Sequence, residues 1–180
     1  MLETSRLRLR RWLPRDEAPF AAMNADPEVM QYFPATITPE QTRMAIGVFE
    51  ANFEQYGYSF WAVELKDSLE FIGSIGLEPY ELSSGAHQTP TSHVAIGWQL
   101  ARAYWGQGLA FEAAMAVCDF AKTQLKLNEI ICVMAQLNQP SMALCRRLGM
   151  IEDTSQPFVD GNFPLGHPLG RQSLFRLALA

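Results

Sequence analysis

Trp98-Gln99-Leu100-Ala101-Arg102-Ala103-Tyr104-Trp105-Gly106-Gln107-Gly108-Leu109-Ala110-Phe111-Glu112-Ala113 reads as a strand feeding a glycine turn, which feeds a helix N-terminus. Gly106 and Gly108 let backbone N–H groups turn towards one point and let a ligand approach the main chain. A helix beginning near Leu109 adds four N–H groups without intrahelical partners and the positive end of its dipole. Together these make a cradle for a phosphate or pyrophosphate. A helix-start turn with no ligand is the competing reading. A Walker A loop needs Gly-Lys-Ser/Thr, but Gly108 is followed by Leu109-Ala110. A Rossmann fingerprint needs a small residue where Phe111 stands and an acid at the end of the next strand; Glu129 falls at that strand's beginning. The preceding strand is also half-polar, unlike a buried parallel one. What remains is a pyrophosphate ligand of another type, such as coenzyme A.

Working outward towards the N-terminus, Val94 to Leu100 is the strand, and Gly97 inside it marks a bulge or a close backbone approach. Residues 79–92 read as a mobile loop. Phe60 to Leu65 and Phe71 to Leu77, joined through Lys66-Asp67-Ser68, read as an antiparallel hairpin. Thr38-Pro39-Glu40-Gln41 is a capping box that opens a helix over 39–55, with Met44, Val48 and Phe53 among its apolar positions and Gly57 ending it. Asp26-Pro27-Glu28 reads as another helix start, and Pro14 opens a short helix towards Asn24. Leu7 and Leu9 alternate with Arg6, Arg8 and Arg10, the period of a strand whose arginines form a solvated face. Towards the C-terminus follow a helix over 109–126, a strand over 130–135, a helix opened by Asn138-Gln139-Pro140-Ser141 and ended at Gly149, a loop over 152–170 and a strand over 174–179. This order is α/β or α+β with a mixed sheet.

A length of 180 residues suits one domain over 1–180. With 48% hydrophobic and 18% charged residues, the chain is not disordered. A net charge of −5 argues against direct nucleic-acid binding. Cys118, Cys132 and Cys145 are odd in number and lack metal-ligand spacing, which excludes a disulfide framework and a structural zinc or other metal site. Reduced cysteines, no apolar leader in Met1–Arg6 and no membrane-length apolar run lead us to expect a cytoplasmic protein away from membranes.

Ile96-Gly97-Trp98-Gln99-Leu100, Tyr104-Trp105-Gly106-Gln107-Gly108-Leu109-Ala110, Glu112-Ala113 and Asn138-x-x-Ser141, ending in Arg147-Leu148-Gly149-Met150, resemble the GNAT acyltransferases. The subgroup they resemble is the RimJ/RimL type. Glu3-Thr4-Ser5-Arg6-Leu7-Arg8-Leu9-Arg10 and Ile72-Gly73-Ser74-Ile75-Gly76-Leu77 are similar to the same group, and Gly166-His167-Pro168-Leu169 resembles the tail of an uncharacterised branch. The resemblance runs in order along nearly the whole chain. It implies the GNAT fold: a central mixed, mostly antiparallel sheet splayed at a bulge near Gly97 and flanked by helices, with acetyl-CoA wedged in the splay. It implies N-acetyl transfer from acetyl-CoA to a primary amine, either a protein N-terminus or a small molecule, by a monomer or homodimer. The strand backbone at Trp98 and Leu100 would pair with the pantetheine arm. The backbone of Trp105, Gly106, Gln107, Gly108, Leu109 and Ala110 would hold the pyrophosphate. Asn138 would bond the arm near the thiol, and Ser141 would sit beside the sulfur. Arg102 and Arg146 are the side chains expected at the nucleotide phosphates, with Arg147 as the alternative, unless each is a solvated charge.

Three departures from the family pattern bear on chemistry. Ala103 stands where many members have Gln or Arg, which leaves backbone binding of the pyrophosphate intact. Cys145 stands where many carry the Tyr that protonates the thiolate, so Ser141 becomes the acid candidate and Cys145 a buried core thiol. Ala95 stands where many carry a catalytic Glu, so the general base must come from elsewhere. Glu78, at a strand end, His93, which shares strand parity with Ala95, and His167 are the base candidates. Asp160 is placed to bind a cationic amine, and Tyr32 and Phe33 to line the acceptor pocket. Each of these also has an ordinary structural reading: a strand-end carboxylate, an exposed loop side chain or core packing. The lost Glu also keeps open an acyl-CoA-binding sensor or regulatory module on the same fold, and a dinucleotide-dependent oxidoreductase is a third reading.

Overall fold

Alternating leucines, helix caps and glycine turns produce most of the expected elements, and the sheet they form positions the glycine loop. The structure is a computed structural model describing residues 1–82, 91–164 and 166–179. Among these residues the strands are β1 (Leu2–Glu3), β2 (Leu7–Arg10), β3 (Phe60–Leu65), β4 (Phe71–Leu82), β5 (Thr91–Leu100), β6 (Glu129–Ala135), β7 (Ile151–Val159) and β8 (Arg171–Ala178). The helices are α1 (Glu17–Ala25), α2 (Pro39–Tyr56), α3 (Leu109–Thr123) and α4 (Gln139–Arg147). The sheet order is β1-β2-β3-β4-β5-β6-β8-β7. Every neighbouring pair is antiparallel except β5 and β6, which are parallel and joined at the single pair Ala95↔Ile131. Beyond that pair the two strands part, and the sheet opens into a wedge.

The mixed, mostly antiparallel, splayed sheet is the expected one, but the bulge is not. The β4–β5 register runs unbroken from Gly73↔Leu100 to Leu82↔Thr91, through Gly97. A close approach stands there instead: a Cβ at 97 would lie 2.9 Å from Cζ of Phe60, so that ring would have to shift.

The main core joins Leu7, Leu9, Val63, Ile75, Leu77 and Ile96 to Val117 of α3, Cys145 of α4 and Phe175 of β8. A smaller cluster of Trp12, Phe20, Met23, Val29, Ala62 and Phe71 lies under α1. The Thr38 capping box forms as expected, with Gln41 N donating to Thr38 Oγ1 at 3.2 Å and Thr38 N to Gln41 Oε1 at 2.7 Å. Gly57 ends α2 in the left-handed region at φ 77°.

Several expectations are corrected. On α2 only Phe53 is buried among the three apolar positions; Met44 and Val48 are 66% and 56% exposed. Asp26 accepts from the Glu28 N–H as a cap would, at 2.8 Å, yet residues 27–35 form turns and bends rather than a helix. Pro34 disfavours helical geometry at Phe33, so the segment is too short to offset the cost of nucleation. Residues 79–82 and 91–92 belong to β4 and β5 rather than to a loop, and residues 83–90 of that stretch lie outside the described residues. The loop expected over 152–170 holds β7 and a 3-10 turn at Pro168–Gly170. Helix α3 stops at Thr123 rather than at 126, and β8 begins at Arg171 rather than at 174.

The arginines of β2 do not form a solvated face. Arg10 is buried and forks onto Asp16 (2.6 and 2.9 Å) and Glu64 (2.9 and 2.7 Å). Glu64, 1% exposed, also accepts from Arg8 at 3.2 Å and Arg15 at 2.7 Å. A buried carboxylate is tolerable only when paired and hydrogen-bonded, and these guanidinium groups meet that need. Among the described residues no helix is long and apolar enough to cross a membrane, and no group of His, Cys, Asp and Glu is arranged to hold a metal ion.

Candidate active site

The turn between β5 and α3 leaves the start of the helix open. Gly106 and Gly108 take left-handed conformations, φ 72° and 76°, and among the described residues no side chain caps α3. The first N–H groups of α3 therefore have neither an intrahelical acceptor nor a capping side chain. The loop is braced from within. The Trp105 indole donates to the Leu100 carbonyl at 2.8 Å, and the Gln107 amide donates to the Ala103 carbonyl at 2.9 Å.

A cavity of about 390 Å3 lies against this turn. Of the residues expected to hold the cofactor, Trp98, Leu100, Trp105, Gly106, Gly108, Leu109, Ala110, Asn138 and Ser141 line it. Beyond Ala95↔Ile131 the edge of β5 has, among the described residues, no ladder partner on the β6 side. The backbone N–H and C=O of Trp98 face that side and are thus presented to the opening, where an extended amide-bearing chain can pair with them.

The positive side chains sort clearly. Arg102 does not line the cavity and is ion-paired with Glu28. Arg146 does not line it either; it pairs with Glu152 at 3.2 Å and lies over the Phe175 ring, 5.6 Å from its centroid. Gln107 also stays out of the lining. Arg147 does line it, its guanidinium 4.0 Å from the centroid of Phe111.

Asn138 and Ser141 meet at the start of α4. Asn138 Oδ1 accepts from the Ser141 N–H at 3.1 Å, so Asn138 is the helix cap and its amide N–H2 remains as a donor. Ser141 Oγ accepts from the Trp98 indole at 3.2 Å, which leaves the hydroxyl proton to donate. Cys145 is wholly buried in the core. Contact with the Cys145 thiol, together with burial, raises the Cys132 thiol pKa, as expected of an inert pair.

Tyr32 and Phe33 line the same cavity rather than the core. Glu78, His93, Asp160 and His167 do not line it. Glu78 stands opposite Ala95 in the β4–β5 register, on the same sheet face, and burial raises its carboxyl pKa. Tyr80, two residues on, is pushed up to about 12 by burial and by the charges of Asp160 and Glu78. His93 pairs with Tyr80 in register and lies 3.7 Å from Glu129. His167 and Asp160 do structural work in their loop. His167 Nδ1 accepts from Leu169 N at 3.2 Å, its ring stacks on Phe163, and Asp160 accepts from Asn162 N at 2.9 Å.

Sequence reasoning missed Phe111, Leu144 and Glu28 in the lining. Phe111 enters only as the bulky residue that spoils a Rossmann fingerprint and Glu28 as part of a helix start, while nothing in the sequence marks Leu144. It also missed the role of Glu112, which accepts from Thr4 Oγ1 (2.5 Å), Ser5 Oγ (3.0 Å), Arg6 N (2.8 Å) and Arg6 Nε (2.7 Å). Burial alone would raise this carboxyl, but the hydrogen bonds outweigh it and hold the pKa at about 2.

Comparison with known proteins bears on the same architecture. Residues 6–151 match the acetyltransferase (GNAT) domain. The uncharacterized protein YkkB of Bacillus subtilis (strain 168) is 33% identical over 150 residues, covering 83% of this chain and 84% of that one. The uncharacterized N-acetyltransferase p20 of Bacillus licheniformis is 29% identical over 150 residues, 82% of this chain and 80% of that one. Among solved structures, a GNAT-family acetyltransferase from Bacillus anthracis superimposes with TM-score 0.78 at 23% identity, covering 99% of this chain and 98% of that one. The ribosomal L7/L12 alpha-N-protein acetyltransferase RimL in complex with coenzyme A gives 0.75 at 14% identity, over 97% and 95% of the two chains. Spermidine N-acetyltransferase from Vibrio cholerae, with CoA and spermine, gives 0.72 at 17%, over 97% and 96%.

Proposed function

The chain belongs to the GNAT acetyltransferase family, and on that premise we propose that it moves the acetyl group of acetyl-CoA onto a primary amine by direct attack in a ternary complex. The observation that carries this reading is the pairing, in one cavity, of an uncapped α3 N-terminus with the unpartnered edge of β5. The first suits a pyrophosphate and the second suits the amides of a pantetheine arm.

The residue roles follow from the contacts. Backbone N–H groups of Gly106 and Gly108 to Ala110 bind the pyrophosphate, and Arg147 offers a cation to the nucleotide end. The Asn138 amide donates to the arm. The amine nitrogen forms the new C–N bond as the C–S bond breaks. The ammonium proton passes to a base, and the thiolate receives a proton through the Ser141 hydroxyl. Glu78 is the base this reading favours: it lies outside the cavity lining and so takes the proton through water, it occupies the cross-strand partner position of Ala95 on the same face, and burial raises its carboxyl pKa. Tyr32 and Phe33 form an acceptor wall. Holding amine and thioester together supplies roughly 7–11 kcal/mol of the barrier in well-oriented cases. The acceptor is a protein N-terminus, as for the RimJ/RimL type, or a small amine.

Thermal melting with acetyl-CoA is the test. Ligand at one hundred times its Kd stabilises by about 2.7 kcal/mol, which at this chain length is a rise of roughly 5–10 °C. An amine panel with free-thiol detection then identifies the acceptor class. No shift at millimolar acetyl-CoA overturns the reading, and binding without turnover on any amine points to an acyl-CoA-binding module.

A further inference from the structure

The opening Thr4-Ser5-Arg6 stands more than a hundred residues from the glycine turn in sequence but beside it in space. A tight turn pins this segment: Thr4 N donates to the Leu7 carbonyl at 3.0 Å and Leu7 N to Thr4 Oγ1 at 2.9 Å. Arg6 then reaches both sides of the start of α3. Its Nε donates to Glu112 Oε2 at 2.7 Å and its Nη1 to the Gln107 carbonyl at 3.1 Å. Its Nη2 lies 3.7 Å from where a Cβ on Gly108 would stand.

The Gln107 carbonyl and the Gly108 N–H belong to one planar trans peptide, so they point in opposite directions. Drawing the carbonyl towards Arg6 aims the Gly108 N–H away from Arg6, and Gly108 lines the cavity. Glu112 adds a second consideration. Its carboxylate in the first turn of α3 favours the helix, but it also places negative charge within a turn of the N–H groups that would meet a pyrophosphate. The Arg6 guanidinium offsets that charge.

We propose that Arg6 is a positioning residue for acetyl-CoA: by bridging Gln107 and Glu112 it sets the aim of the Gly108 N–H and cancels the Glu112 charge beside the pyrophosphate. This rests on reading the cavity as the acetyl-CoA site.

The experiment titrates wild type, Arg6→Ala, Arg6→Lys and the double variant Arg6→Ala with Glu112→Gln with two donors. One is acetyl-CoA; the other is S-acetylpantetheine, which has the arm but no pyrophosphate. Melting temperature is recorded alongside as a check on folding. Arg6→Ala is expected to bind acetyl-CoA roughly ten-fold more weakly and S-acetylpantetheine unchanged. The double variant is expected to recover part of the lost acetyl-CoA affinity, because no uncompensated carboxylate remains. Arg6→Lys keeps the charge without the fork and is expected to fall between; it carries the test should Arg6→Ala fail to fold. Acetyl-CoA affinity within two-fold of wild type in Arg6→Ala, or in Arg6→Lys where that variant carries the test, overturns the proposal. So does an equal loss for both donors. Wild type that binds neither donor overturns the acetyl-CoA reading itself, and this inference with it.

Discussion

Ser141 accepts a hydrogen bond from Trp98 and retains one proton to give, while the capping of α4 falls to Asn138. The two residues therefore separate under mutation. Ser141→Ala should lower kcat by roughly ten- to a hundred-fold with acetyl-CoA affinity changed less than about three-fold, measured by steady-state kinetics and titration. Asn138→Ala should in addition destabilise the fold by about 1 kcal/mol through the lost cap, read in denaturant melts. Glu78 gives a pH test. A base works when deprotonated, so with a pKa raised by burial the rate should still be climbing with pH above the ordinary carboxylate range. Glu78→Gln should abolish that acidic limb; a limb that persists in the variant removes Glu78 from the mechanism. At this scale the sequence named Asn138 and Ser141 from a motif but put Arg146 ahead of Arg147 at the phosphates, whereas Arg147 lines the cavity. Adjacent helix positions point about 100° apart, so only the packing of α4 turns one into the cavity and the other towards Glu152.

Elements show why periodicity is a partial guide. Helix α2 was legible at both ends because Thr38 and Gly57 act through local backbone chemistry. Its buried stripe was not, because which apolar side chains meet the sheet depends on how the helix is laid down. Phe53→Ala should cost about 3–5 kcal/mol, whereas Met44→Lys or Val48→Lys should stay within about 0.5 kcal/mol of wild type in denaturant melts. The tether between the N-terminal segment and α3 has a predictable acid response. Glu112 titrates at about 2 when folded against an ordinary value of 4.5. A depressed carboxyl stabilises the folded state above its unfolded pKa and loses that contribution as pH falls through the folded one. Stability should therefore drop between about pH 4.5 and pH 2, and Glu112→Gln should flatten that part of the curve.

For the whole molecule the governing feature is a sheet joined across its middle by the one pair Ala95↔Ile131. A donor seated in the wedge would supply the hydrogen-bond partners that β6 does not. Hydrogen exchange with and without acetyl-CoA should show new protection in peptides covering 97–111 and 138–147 and little change in β2 and β3. Protection spread evenly over the sheet would speak against binding in the wedge.

Much of this was fixed by short-range chemistry and is readable along the chain. Alternation gave the strands, caps and glycines gave the helix ends, and the β5–turn–α3 motif marked a pyrophosphate cradle, because these depend on residues within a turn or two of one another. What only the tertiary structure decided is where distant groups meet. It converted Arg8 and Arg10 from a supposed surface into the partners of buried Glu64, brought Arg6 to Glu112, aligned Glu78 with Ala95, and paired 79–82 with 91–94 although composition suggested a loop over 79–92. Charge pairing and strand register act through space, and their partners lie tens to more than a hundred residues apart, beyond the reach of any local pattern.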